Sequence, residues 1–249
     1  MRRPDRDRLF VLTGAGISAE SGIRTFRGVD GLWRGHRIEE VATPGAFAAD
    51  PLLVWTFYSE RRRAAAGKEP NPAHRALARL ESALGDRFFL CTQNVDDLHE
   101  AAGSRRVRHM HGRLFQSRCS SPACATPPFD DRWTLEGTAE LRRCPACGAL
   151  LRPHVCWFGE VPYEMDAIED ALERCDLLLV VGTSGVVHPA ASFVALARGR
   201  GARAIYVGPE APANAAAFDD LTLAPAGRAL PELVDAWLGG PADRGAAPC

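Results

Sequence analysis

Four cysteines fall into two close pairs, Cys119 with Cys124 and Cys144 with Cys147, with nineteen residues between the pairs. Four paired thiolates suit tetrahedral zinc, and such a closed set is structural because no coordination position remains for water. A nucleic-acid-binding ribbon is the other use of such pairs. It needs outward basic and aromatic residues, whereas this module carries mixed charge. A second set of chemistry-bearing residues begins near the N-terminus. In "GAGISA", Gly14, Gly16 and Ala19 stand at the spacing G-x-G-x-x-A behind an apolar run. Glycines there permit a tight turn and close approach of backbone N–H groups to a pyrophosphate, and a helix N-terminus behind it favours the negative charge. "TQNVDDLH" offers Gln93, Asn94 and Asp96, able to hydrogen-bond a ribose or a carboxamide. On generic grounds they read first as polar loop residues with an Asp capping the next helix. "HMHG" places His109 and His111 two apart, on one side of an extended segment. Such histidines serve either as a general base or as buried structural groups.

Positioning these residues requires strands that end where they begin. "RLFVLTG" (8–14), "RFFLCTQN" (87–94), "DLLLVVGTS" (176–184) and "ARAIYVG" (202–208) are nearly continuous apolar runs ending in Gly, Thr, Ser or Asn. Buried parallel strands whose C-terminal ends open into ligand loops have this form. Asp50 with Pro51, and Gly67 beyond "LLVWTFYSERRRAAA", punctuate one helix, and Asn71 with Pro72 start another. The block from Cys119 to Pro153 has little periodicity and reads as an inserted module held by something other than an apolar core. The expected fold class is α/β, a Rossmann-like doubly wound parallel sheet with a smaller zinc-binding module and a helical insertion. Segments 1–36, 73–114 and 156–238 make the nucleotide-binding domain, 37–72 the helical insertion, 115–155 the zinc module and 239–249 a flexible tail.

The chain of 249 residues is 46% hydrophobic with a formal net charge of -1, enough for a real core and too balanced for a broad electrostatic footprint on nucleic acid or membrane. The basic N-terminus runs at once into a strand-like segment, without the longer apolar stretch and cleavage site of a secretory signal, and no run approaches a membrane span. The eight cysteines are too unevenly placed for a disulfide framework and suit a metal site in a reducing compartment. The expected location is cytoplasmic.

"GAGISAESGIRTFRG", "TQNVDDLH", "HMHG", the paired cysteines, "RPHVCWFGE" and "VGTS" follow one another in the order found in the sirtuin family of NAD-dependent protein deacylases. This ordered set, from Leu12 to about Leu238, resembles that family over nearly the whole chain. The resemblance implies a loop, Ala15 to Arg27, that folds over the nicotinamide riboside. Phe26 shields the site and Arg27 contacts phosphate or ribose. It further implies NAD contacts from Gly14, Ala15, Gly16, Ile17, Ser18, Trp33, Gln93, Gly182, Thr183, Ser184 and Ala226. Asp96 with Ile17 serves the carboxamide, and Asn94 stands beside the ribose. In the family's mechanism the acyl-lysine carbonyl oxygen attacks C1′ of the nicotinamide ribose and nicotinamide leaves. His111 then acts as general base through the ribose hydroxyls, so that lysine and 2′-O-acyl-ADP-ribose are the products. Asn94 and Asp96 complete the implied catalytic set. "VCWFGE", with Val155, Trp157, Phe158 and Gly159, resembles the segment that pairs with an extended acyl-lysine peptide, and Cys156 stands where relatives often have Val. Where sirtuins often carry an Asn for the adenosine ribose, this chain has "VGPE" (207–210).

Tyr58 and Arg61 lie three apart on the expected helix, hence on one face, and the Tyr-x-x-Arg pattern resembles the sirtuin branch that removes succinyl and malonyl groups. Arg can grip a carboxylate with two parallel hydrogen bonds and a Tyr hydroxyl can add a third. Arg62 and Arg63 are expected to face solvent. The implied function is lysine deacylation, acidic acyl groups and acetyl alike, with NAD as co-substrate, one structural Zn2+ and acylated proteins as partners. The competing readings are mono-ADP-ribosyl transfer and a non-catalytic NAD-sensing or zinc-ribbon module.

Overall fold

The computed structural model describes residues 7–24, 36–137 and 140–239. Six parallel strands form its main sheet: β1 (Leu9–Thr13), β2 (Phe88–Thr92), β3 (Val107–His109), β7 (Leu177–Val181), β8 (Arg203–Gly208) and β9 (Asp220–Leu223). Their order is β3-β2-β1-β7-β8-β9. The chain therefore winds outward from β1 in one direction and from β7 in the other, and the crevice beyond the strand ends between them is where ligands bind in such sheets. Register aligns those ends. Thr13 pairs with Thr92 and with Val181, Thr92 with His109 and Val181 with Val207. The residues that follow each strand therefore emerge at one level.

Alternation sends successive side chains to opposite faces, and each face has its own core. Leu9, Val11, Leu90 and Leu179 pack with Leu77 and Leu80 of α4 (Pro72–Leu84) and with Leu230, Val234 and Trp237 of α8 (Ala226–Leu238). Phe10, Leu12, Leu178 and Val180 pack with Ile168 and Leu172 of α6 (Met165–Arg174) and with Phe193, Val194 and Ala197 of α7 (Phe193–Gly199). Among the described residues no helix is long and apolar enough to cross a membrane.

A second unit packs around a third core. Its antiparallel sheet has the order β5-β4-β6, from β5 (Phe129–Asp130), β4 (Gly112–Cys119) and β6 (Leu151–Val155). Three helices lie against it: α1 (Ile38–Val41), α2 (Pro44–Ala49) and α3 (Pro51–Ala65). Asp50 caps α3 by accepting from the Leu53 N–H at 2.9 Å, with Pro51 at the first helical position, as its sequence anticipates. Val54, Trp55, Phe57 and Tyr58 of α3 enter one cluster with Leu114, Leu151, Val155 and Trp157, and the Trp55 indole donates to the Leu151 carbonyl at 2.8 Å.

Arg62 overturns one expectation. It is 1% exposed, not solvent-facing. Its guanidinium donates to the carbonyls of Leu114 (2.8 Å), Gln116 (2.8 Å) and Trp133 (2.6 Å), and lies 3.5 Å from the Asp131 carboxylate. The fork of five donors suits converging carbonyls, so a charge that looks like surface on the helix wheel ties α3 to β4 and to the module beyond it. Arg63 stays exposed and reaches the Leu135 carbonyl at 3.2 Å.

Candidate active site

The glycine turn after β1 is locked to the loop after β7. Gly14 and Gly16 N–H groups donate to the carbonyls of Val181 (2.9 Å) and Gly182 (2.8 Å). A Cβ on Gly16 would stand 2.7 Å from Gly182 Cα, and Gly182 itself has a φ of +61. Both positions exclude larger residues, which is the close approach the spacing implies. The chain then turns through the 3-10 segment Ala15–Ser21. There Ile17 and Ser18 are buried, and Asn71, the cap of α4, donates to the Ile17 carbonyl at 2.7 Å and the Ser21 hydroxyl at 3.1 Å. Thr183 and Ser184 continue past Gly182, and the Ser184 carbonyl accepts from the Ala213 N–H at 2.9 Å.

Ser18 joins the loop after β2 to this turn. The Asn94 amide donates to the Ser18 hydroxyl (3.0 Å) and the Gly14 carbonyl (3.2 Å), and Ser18 donates to Asp96 Oδ2 (3.1 Å). Asp96 Oδ1 also accepts from the Leu98 N–H at 3.2 Å, but the cap of the helix that follows is Asp97, whose side chain makes no capping bond. Burial raises the pKa of Asp96, against the opposing effect of those hydrogen bonds. Beneath them Thr13 donates to Thr92 at 2.8 Å, and the Thr92 hydroxyl accepts from the Asn94 backbone N–H at 3.0 Å.

The two histidines of "HMHG" grip consecutive carbonyls of the same loop, yet do different work. His109 Nδ1 faces the Asn94 carbonyl at 3.1 Å and its Nε2 faces Glu100 at 2.8 Å, so both ring nitrogens are committed to support. His111 Nδ1 lies 3.0 Å from the Gln93 carbonyl. A carbonyl can only accept, which fixes the proton on Nδ1 and leaves Nε2 as a base. Burial lowers the His111 pKa, partly offset by the Gln93 carbonyl, so the ring is neutral at neutral pH.

A nucleotide fits these surroundings. Gln93 Nε2 is buried without a hydrogen-bond partner among the described residues, an arrangement costly to a donor unless a ligand answers it. Ala226 is buried at the first turn of α8, where the Gly227 N–H donates to Glu20 at 2.7 Å. In place of an Asn directly after β8, the structure brings Asn214 beside Gly185, its Nδ2 donating to the Ala191 carbonyl at 3.0 Å and its Oδ1 buried without a partner among the described residues. Phe26, Arg27 and Trp33 lie outside the described residues.

The opposite wall carries the expected substrate residues. Tyr58 is fully buried, its hydroxyl accepts from the Trp157 indole at 2.9 Å, and the Arg61 guanidinium carbon stands 5.3 Å from its ring centroid. Burial raises the Tyr58 pKa, with Arg61 the leading opposing influence. Val155 and Trp157 are buried and Phe158 is exposed. The strand ends at Val155, and the segment then turns, with Glu160 N–H donating to the Trp157 carbonyl at 3.0 Å. The N–H groups of Cys156, Trp157 and Phe158 are already spent on the His111 carbonyl, Glu160 and the Ala42 carbonyl. Those three therefore do not serve as donors to a peptide, and Cys156 ties this segment directly to His111. Sequence reasoning missed Arg152 and Glu160, which hold it from behind, and Asn71, whose place as a helix cap disguised its grip on the glycine loop.

The four cysteines converge as their spacing requires. Their sulfurs lie within 4.8 Å of one another, with Cys119 to Cys147 at 3.4 Å and Cys124 to Cys144 at 3.7 Å. Tetrahedral zinc with Zn–S arms of about 2.3 Å has edges of about 3.8 Å, so the donor set and its size suit zinc. The Ala146 backbone N–H and the Thr126 hydroxyl hold the Cys144 thiol down to about 6, toward the thiolate a metal takes.

The Sir2 family model matches residues 14–189. An NAD-dependent protein deacylase of Salmonella typhimurium (strain LT2) is 49% identical over 240 residues, covering 95% of this chain and 86% of the relative. One from Caulobacter vibrioides is 50% identical over 234 residues, covering 93% and 95%. A crystal structure of a Sir2 homologue–NAD complex superposes with a TM-score of 0.85 at 43% identity, covering 94% of this chain and 91% of the other. With the family match spanning well over half of its length, and the glycine turn, amide loop, histidine and cysteine set in one fold, the chain belongs to the Sir2 family.

Proposed function

We propose that this chain is an NAD-dependent protein-lysine deacylase that removes acidic acyl groups, succinyl and malonyl, as well as acetyl. The Tyr58 and Arg61 pair carries the acidic-acyl reading. A buried carboxylate without a partner is costly, and a guanidinium beside a phenol supplies the charge-assisted bonds that remove that cost. Bound NAD supplies an electrophilic ribose carbon with nicotinamide as leaving group. The chain's own residues do the rest. Gly14, Ala15, Gly16, Gly182, Thr183 and Ser184 cradle the nucleotide with Gln93, and Ala226 stands at the adenine end; Phe26, Arg27 and Trp33 are further NAD contacts, Phe26 as a shield and Arg27 to phosphate or ribose. Asn94 orients the ribose, and Asp96 with Ile17 and Ser18 holds the carboxamide side. His111, neutral and pinned through Nδ1, accepts a proton from the ribose hydroxyls at Nε2. Val155, Trp157, Phe158 and Gly159 line the acyl-lysine path, while Cys119, Cys124, Cys144 and Cys147 hold the structural zinc.

The test follows matched acetyl-lysine and succinyl-lysine peptides with and without NAD by mass spectrometry. NAD-dependent loss of both groups, with acyl-ADP-ribose formed, is the expected result. Arg61→Met should cut succinyl turnover by roughly 10- to 100-fold, the size of a charged hydrogen bond, and change acetyl turnover far less. Loss of acetyl alone discards the clamp. Modification of the peptide by ADP-ribose without acyl loss replaces deacylation by ADP-ribosyl transfer.

A further inference from the structure

The ion pair that holds the segment after β6 from behind reaches further than that support. Arg152 of β6, its side chain 5% exposed, donates to Glu160 Oε1 at 2.6 Å and Oε2 at 2.9 Å, and to the Val155 carbonyl at 2.8 Å. The same guanidinium lies over the Trp157 indole, 3.3 Å from the ring centroid. Glu160 in turn accepts from the Trp157 backbone N–H at 2.8 Å. One partner therefore fixes the Trp157 ring and the other its main chain. The fixed indole N–H ends 2.9 Å from the Tyr58 hydroxyl.

An indole can only donate, and a phenol has one proton and two lone pairs. Tyr58 must then accept from Trp157, and the other hydrogen-bonding neighbour it has among the described residues, Arg61, is also a donor. With donors on both sides, the Tyr58 proton has to be given to an acceptor elsewhere. A carboxylate on the acyl chain is such an acceptor, and an acetyl group has none.

We propose that Arg152 and Glu160 are positioning residues for acyl selectivity: they seat the Trp157 indole on Tyr58, which turns the Tyr58 hydroxyl into a dedicated donor for an acidic acyl group. This rests on the acidic-acyl reading of Tyr58 and Arg61. Neither residue need touch the substrate. Arg152→Lys keeps the charge and loses the planar fork that both stacks on the indole and holds two oxygens. Glu160→Gln keeps the volume and removes the charge that orders Arg152.

Steady-state kinetics on matched succinyl- and acetyl-lysine peptides, with thermal melts of each variant, separate positioning from general support. Each variant should raise the succinyl KM about tenfold, the worth of one hydrogen bond, with kcat little changed and acetyl kcat/KM within about twofold. On an Arg61→Met background, Arg152→Lys should cost no further selectivity, because both act on one clamp. Should Arg152→Lys not fold, Glu160→Gln carries the same comparison. Equal losses on both peptides, or unchanged selectivity, overturn the positioning role, and the single Arg61→Met variant shows whether the clamp reading survives. A wild-type protein without succinyl turnover removes both.

Discussion

The main sheet and the smaller unit, one wall each of the proposed site, are held by different physics. On the glycine-loop wall, five parallel strands end in register, and buried apolar residues on both faces fix where the loops begin. Gly14, Asn94, His111 and Gly182 need little besides that scaffold and short hydrogen bonds between neighbouring loops. The wall of α3 and β6 has a smaller sheet with its own apolar cluster, and its residues are further placed by buried polar ties: Arg62 across to Leu114, Gln116 and Trp133, Arg152 to Glu160, and a cysteine cluster at the far end. A wall set by strand register tolerates loss of one polar group. A wall whose apolar core is tied in place by a few buried charges and a cysteine cluster tolerates it less.

Metal removal should expose that difference most. Structural zinc contributes roughly 10–16 kcal/mol of apparent binding in small metal-folded peptides, and Cys119, one of the four residues that would hold it, ends β4. Cys144→Ser, or chelation, should abolish zinc binding and melt the α3 and β6 wall while the strands of the main sheet keep their slow amide exchange. Uniform loss of protection through both walls would show one cooperative unit and erase the distinction. His111→Ala is the converse case. Deacylation of either peptide should fall by about 10²- to 10⁴-fold, the worth of a general base, with the melting temperature nearly unchanged, because Asn94, Ser18 and Gly14 remain bonded to one another. Turnover within a few-fold of wild type would remove His111 from the chemistry.

Arg62→Met tests the polar ties themselves. Removing one side of a buried ion pair costs about 3–5 kcal/mol, and three carbonyls lose their donor as well. Asp131 keeps Arg142 at 2.7 Å, which places the expected loss near the lower end. Denaturant unfolding reads the value, and a change under about 1 kcal/mol would mean that α3 is held by its apolar face alone.

The same contrast governs what the sequence revealed. Strand runs, the Asp50 and Asn71 caps, the glycine turn and the cysteine spacing are local patterns, and the structure has each where its pattern puts it. Arg62 was illegible because its partners lie 52 to 71 positions away, so a helix wheel shows only one more charge in a basic run. Arg152 and Glu160 are eight apart, but only the turn after Val155 brings them together. His109 and His111 have the same type and nearly the same position, and only the second-side partner Glu100 distinguishes a ring with both nitrogens engaged from the ring proposed as the base.

Acidity offers the finest probe, because both walls hold histidines whose pKa is lowered by burial. His74 falls to about 4 and His99 well below the ordinary value behind the glycine loop, and His154 falls to about 4 on β6. A group with a depressed folded pKa binds fewer protons in the folded state. Its contribution is therefore whole above the unfolded value of about 6.5 and is lost as pH falls toward the folded one. Thermal stability should drop steadily from pH 6.5 toward 4. The His111 pKa is lowered for the same reason, so the acid limb of kcat/KM should be centred below pH 6.5, in step with protonation of Nε2. An acid limb centred above 6.5 would mean that another group controls the rate. His154→Phe should blunt the acid loss of protection in β4 and β6 while leaving the main sheet's response unchanged. An equal effect on both would show that the two walls unfold together in acid, whatever holds each of them at neutral pH.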